Sequence, residues 1–194
     1  MLDRSLAAYP QTSLAWLSFI RIGVGLAMLS QGINKLGVNV GGPPGQNWLV
    51  NAAPLKGILE NAIKGPTIDP LYRSFLEGVV LPNVGAFAVL VTAGEILVGL
   101  SLILGLLTRL GAYGGAFLHL NYMLMKGLPA GGGYTDKLFL LLEIILAVTA
   151  AGYVLGLDGV LRQRLPAWLR PLMSKEPAEA PAAEPARQRT IQPA

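Results

Sequence analysis

The sequence has no cysteine and a single histidine, His119, in 194 residues. The missing cysteines exclude disulfides, iron–sulfur clusters held by this chain and a persulfide intermediate. One histidine excludes bis-histidine haem ligation within one subunit. Charge is scarce as well: Asp, Glu, Lys and Arg make up 13% of residues, against roughly 25% in a typical soluble domain. A net charge of +4, carried by scattered basic residues, gives no basis for nucleic-acid binding. No phosphate-binding loop, dinucleotide fingerprint or Ser/His/Asp grouping is found, and Gly131-Gly132-Gly133 reads as a loop. No intrinsic haem, flavin, iron–sulfur cluster or metal site is therefore expected. Any redox cofactor is small and diffusible, or sits on a partner.

Apolar residues dominate what remains. They make up 53% of the chain, with mean hydropathy +0.52. Four stretches are long enough to cross a hydrocarbon core of about 30 Å. They run from Ser13 to Leu36, Pro82 to Leu107, Leu110 to Lys126 and Thr135 to Leu157. The expected fold is all-α, an integral membrane four-helix bundle. The first run carries Arg21 and lacks a small-x-small cleavage site, so it reads as a retained helix rather than a signal peptide. Pro82 suits the first turn of its helix, and Thr135 and Asp136 are candidate caps for the last.

Between the first two spans, Gly41-Gly42-Pro43-Pro44-Gly45 is a loop. Beyond it, Trp48, Ala52, Leu55, Leu59 and Ala62 recur at helical steps. Leu71, Phe75 and Val79 follow Asp69-Pro70 on one side of a second short pattern, with Arg73 and Glu77 spaced as an i,i+4 pair. Both read as short amphipathic helices lying on the membrane or capping the bundle. The organisation expected is a transmembrane domain over 1–160, a basic juxtamembrane segment over 161–176 in which Trp168 can rest at the interface, and a disordered Ala/Pro/Glu/Arg tail over 177–194. Six Lys and Arg residues fall on each side of the spans. Lys56 and Lys64 lie away from the span ends, which tips the expected orientation toward both termini in the cytoplasm.

The polar residues inside the spans carry the chemical question. Counting 1.5 Å per residue from the cytoplasmic ends puts Arg21 about 12 Å deep, His119 about 14 Å, Asn121 about 17 Å, Glu95 about 18 Å and Glu143 about 21 Å. That places them in one layer, with Arg21 expected to pair with Glu95 or Glu143, since a lone charge there is costly. Gly25 and Gly32 share a stripe with Arg21 and Lys35, and Gly111 and Gly115 share one with His119, Tyr122 and Lys126, as closely packed membrane helices require. Two readings stay open. The layer is bundle glue, with His119 an interhelical hydrogen bond and Asn121 and Tyr122 part of an interface belt. Alternatively it is a site for a lipid-soluble quinone. There Arg21, His119 and Tyr122 donate to the carbonyls, Asn121 and Glu143 help bind, and Glu95 passes protons. Lys35 and Lys126, near the opposite ends of the helices, form either a rim that attracts a small anion or lysines snorkelling to water.

The residues Arg21, Gly32 and Lys35, then Gly94-Glu95-Ile96-Leu97-Val98-Gly99, Leu102 through Arg109, Leu120 through Leu124 and Gly156-Leu157-Asp158 resemble the DoxX/DoxD membrane family. The likeness covers about residues 13 to 160 and is nearest to the DoxD type, the small subunit of thiosulfate:quinone oxidoreductase. It implies a multi-pass subunit of a prokaryotic cell (inner) membrane. With a partner called DoxA, such a subunit oxidises thiosulfate to tetrathionate and passes electrons to quinone. No DoxA-like region follows Asp158, so that partner is expected on a separate chain. The other expectation is a non-catalytic accessory subunit of a larger respiratory or photosynthetic complex.

Overall fold

A computed structural model describes residues 11–40, 46–127 and 134–176. The expected Gly41–Gly45 loop and the tail over 177–194 lie outside the described residues. Within them the fold is helical, with one isolated β-bridge between Leu36 and Asn47 and no strand. The elements are α1 (Gln11–Asn34), α2 (Ala53–Lys64), α3 (Pro70–Phe75), α4 (Val84–Leu104), α5 (Thr108–Lys126), α6 (Tyr134–Val148) and α7 (Leu157–Leu161). By length and composition, two helical stretches are able to cross a membrane: Ala15–Asn34 and Pro70–Leu104.

The second of these corrects the sequence reading. The amphipathic piece after Asp69 is not separate from the span that follows. A π turn (Leu76–Val80) and a 3-10 turn (Leu81–Asn83) join α3 to α4 in one 35-residue rod. Proline removes one intrahelical donor, and a locally wide turn followed by a tight one absorbs the mismatch. Pro82 therefore sits inside the rod instead of starting it. Asp69 caps the rod, accepting from Leu71 and Tyr72 backbone N–H groups. Arg73 donates to the Gly65 carbonyl at 3.0 Å, and no ion pair with Glu77 accompanies it. The last long helix, α6, is shorter than the stretch read from the sequence. It stops at Val148, and the chain turns back through Gly152, Leu155 and Gly156, with Leu155 at φ 52°.

α1 and α4 run antiparallel at backbone contact. A Cβ on Gly99 would lie 2.6 Å from the Leu29 nitrogen, and one on Gly25 would lie 2.8 Å from the Ile103 nitrogen. Gly32 meets Ile96 in the same way. This close approach is what small residues permit where hydrophobic burial between helices drives little. α5 packs on both α4 and α6. Val24, Met28, Val98, Leu102, Ala112, Leu146 and Ala147 fill the centre. α2 lies across one end, burying Leu55 and Leu59 against Ile68, Leu76, Val80 and Ala88.

Candidate functional site

The antiparallel register splits the buried charge into two sites. Arg21 is fully buried beside the α4–α5 turn, in contact with Gly105 and Gly156. It donates to the Leu155 carbonyl at 2.7 Å, and Asp158 is its electrostatic counterpart. Pairing with Glu95 or Glu143 is thus corrected. Arg21 lies opposite the end of α4, while both glutamates lie further along the bundle. Asp158, which the spacing argument did not single out, organises this end. Its carboxylate accepts from Leu107 N (2.7 Å), Thr108 N (3.0 Å) and Ser174 N (2.8 Å). It so satisfies the orphan donors that open α5, and it holds Leu107 at a φ of 50°, rare for a residue with a side chain.

The other site lies toward the opposite end. Glu95, 2% exposed, takes two hydrogen bonds from Lys35, at 2.6 and 2.8 Å, and a third from the Tyr122 hydroxyl at 2.7 Å. Lys35 is covered by the Trp48 ring, 5.0 Å from its centroid, because the chain returns to form the Trp48 N–H to Lys35 carbonyl bond. Next to it, the His119 Nδ1 meets Glu143 Oε2 at 2.9 Å. Gly115 makes room for that carboxylate, since a Cβ there would overlap Oε1. The imidazole stacks on Phe139 at 5.1 Å and stands edge-on to Tyr122 at 5.7 Å. Asp136, expected as a helix cap, instead forms an ion pair with Lys126 across the α5–α6 connection. Lys35 and Lys126 are therefore each matched by a carboxylate.

Lys35, Trp48, Glu95, His119, Tyr122, Lys126, Asp136 and Phe139 line one cleft of about 690 Å³, with Glu143 behind His119. Its polar members include Gln31, Lys35, Glu95, His119, Tyr122 and Asp136. The remaining wall is mostly apolar, from α2, the rod and α5. Leu90 and Phe117, which also line it, are 63% and 66% exposed on α4 and α5. The mouth between those helices is consequently apolar. Asn121 lines the cleft too, but its amide oxygen accepts from Tyr72 at 3.1 Å and its nitrogen donates to Phe117 O at 2.7 Å, so it ties α3 to α5. The structure thus brings Lys35, Glu95, His119, Tyr122, Lys126 and Glu143 to one region, keeps Asn121 at its edge, and leaves Arg21 out. Asp136 and Tyr72 are additions. Asp136 read from the sequence as a candidate helix cap, and nothing local signalled its partner Lys126. No cluster of three or more metal-ligating side chains exists among the described residues.

Such a cleft suits a flat, largely apolar molecule with hydrogen-bonding atoms at one end. Phe139 and His119 offer a stacking surface, and Tyr122 and the His119 Nε2 offer donor or acceptor capacity. No curated protein and no solved structure matches the chain. The family model described as DoxX matches residues 16–126, more than half of the sequence and every residue from Lys35 to Lys126 in the cleft. That family is membrane-associated and includes DoxD subunits, and the chain belongs to the DoxX family.

Proposed function

We propose that this protein is a DoxD-type, four-span membrane subunit that binds quinone in the cleft between α4 and α5, within a thiosulfate:quinone oxidoreductase-like system. The observation carrying this reading is the union of an apolar, laterally placed mouth with the Lys35–Glu95–Tyr122 and His119–Glu143 groups at its inner end. A molecule partitioned in lipid reaches such a cleft without crossing water. Quinone, when bound, accepts two electrons and two protons. Tyr122 and His119 would face its carbonyl oxygens, and a proton given up by the Tyr122 hydroxyl would be replaced from the Lys35 ammonium across the Glu95 carboxylate that bonds both. On the four-span reading, with α5 and α6 crossing beside the two apolar helices, this inner end would lie within the membrane. Both termini lie in the cytoplasm of the prokaryotic cell on the same reading.

The rim lysines are engaged by Glu95 and Asp136, so the proposal puts thiosulfate oxidation on a partner chain of DoxA type and gives this subunit the quinone. The test is turnover of the natively purified complex. Thiosulfate-dependent quinone reduction is expected, falling about 100-fold or more in Glu95→Gln and Tyr122→Phe with the complex still assembled. A quinone-replete, intact complex without activity refutes the reading. One observation favours the accessory-subunit alternative: these ion pairs satisfy themselves without a ligand. Under that alternative the same substitutions loosen assembly and leave turnover per complex unchanged.

A further inference from the structure

The two ends of the bundle differ in how a proton reaches the cleft. At the Lys35/Lys126 end charged side chains lead from the surface into the cleft. The Lys126 side chain is 43% exposed, while its partner Asp136 is buried and lines the cleft. Asp136 and Tyr122 both line the cleft. Tyr122 in turn is joined through Glu95 to Lys35. At the Arg21/Asp158 end the path is blocked. About 21 Å of α1 separates Arg21 from Lys35, and the core between them is Val24, Met28, Val98, Leu102, Ala112 and Leu146. Arg21 adds a fixed positive charge behind that plug, held by the Leu155 carbonyl.

We infer that the cleft takes protons from the Lys35/Lys126 face alone, through Asp136 and the Tyr122–Glu95–Lys35 chain, and that the Arg21/Asp158 face is proton-tight. This rests on the quinone reading above. Two thiosulfates form the S–S bond of tetrathionate and release two electrons and no protons. Quinone takes those electrons and one proton on each carbonyl oxygen. Both protons then come from the water on the Lys35/Lys126 side. The titratable groups around Tyr122 are Lys35 just after α1, Glu95 from α4, His119 and Lys126 from α5, and Asp136 from α6, with Glu143 of α6 behind His119. Tyr72 is committed to Asn121 and is not a member of the chain.

The absence of native cysteine makes the sidedness measurable. Lys56→Cys, on the exposed face of α2, marks the Lys35 side, and a membrane-impermeant thiol reagent gives the fraction of molecules with that side outward. The native complex is reconstituted in liposomes with separate pH dyes inside and outside and thiosulfate in both compartments, and a short-chain quinone starts the reaction. The expected result is two protons lost per quinone reduced, divided between the compartments in the same ratio as the orientation of Cys at position 56. Asp136→Asn is expected to slow proton loss at least 10-fold. Proton loss in the inverse ratio, or equal loss on both sides irrespective of orientation, overturns the inference and leaves quinone reduction standing. No thiosulfate-driven reduction in either orientation overturns the functional reading and this inference together. The wild-type sidedness decides even where Asp136→Asn does not fold.

Discussion

A carboxylate as enclosed as Glu95 has to be matched by a cation, and Lys35 is that match at 2.6 Å. Removing one partner of a buried pair strands the other, so Lys35→Met is expected to cost about 3–5 kcal/mol. Lys35→Met combined with Glu95→Gln is expected to recover most of it. Thermal unfolding in detergent measures both, and a loss in the double variant equal to the sum of the two single losses would show that the two residues do not interact. At the other end Asp158→Ala leaves three backbone donors and Arg21 without their acceptor or counter-charge. Its expected cost is about 3 kcal/mol or more, read as a lowered melting temperature with the C-terminal segment after Val148 becoming the first site of proteolysis. Resistance equal to wild type would contradict the clasp. The enclosure of Arg21, Glu95, His119 and Glu143 was legible in the sequence, because an ionisable residue in an apolar run has to face inward. Their partners were not. Counting depth from the span ends treats every helix as starting in one plane, whereas Gly32 against Ile96 and Leu29 against Gly99 set a register that brings Lys35, not Arg21, to Glu95.

That register belongs to the helix pair, and it depends on glycine. A Cβ at Gly99 has backbone, not a flexible side chain, in its way. Gly99→Val is therefore expected to separate α1 from α4, lower stability by about 1–3 kcal/mol and weaken the Lys35–Glu95 bond with it. Gly57→Ala, on α2 with open space around the position, is expected to leave the melting temperature unchanged or slightly raised. Similar effects of the two substitutions would remove the close-approach argument. The glycine stripes of α1 and α5 could be read from spacing alone. The continuity of α3 and α4 could not, since proline normally marks a helix start, and only the wide and tight turns around Pro82 show how the rod passes through it. The shortened α6 had no sequence signal either, because Thr149 through Leu157 is as apolar as the helix before it. Its end is set by the turn that carries Asp158 to the start of α5.

For the molecule as a whole, a four-span topology predicts that cysteines placed at Lys56 and at Arg164 label from opposite sides of the membrane. Labelling of both from one side would contradict four crossings. The helical class and the membrane character were evident from hydropathy, but the cleft was not. It is made by α2 folding back over the rod and by the mouth between α4 and α5, and neither is a property of any one segment. That cleft is where the central claim is decided. The most direct test is labelling of the purified protein by a photoreactive quinone, followed by identification of the modified residues. Adducts are expected on cleft residues such as Leu90, Phe117 and Tyr122, competed away by unlabelled quinone and lost in Gly94→Phe, which fills the space. Labelling spread over the lipid-facing residues Leu26, Leu97 and Ile144, indifferent to competitor, would contradict it.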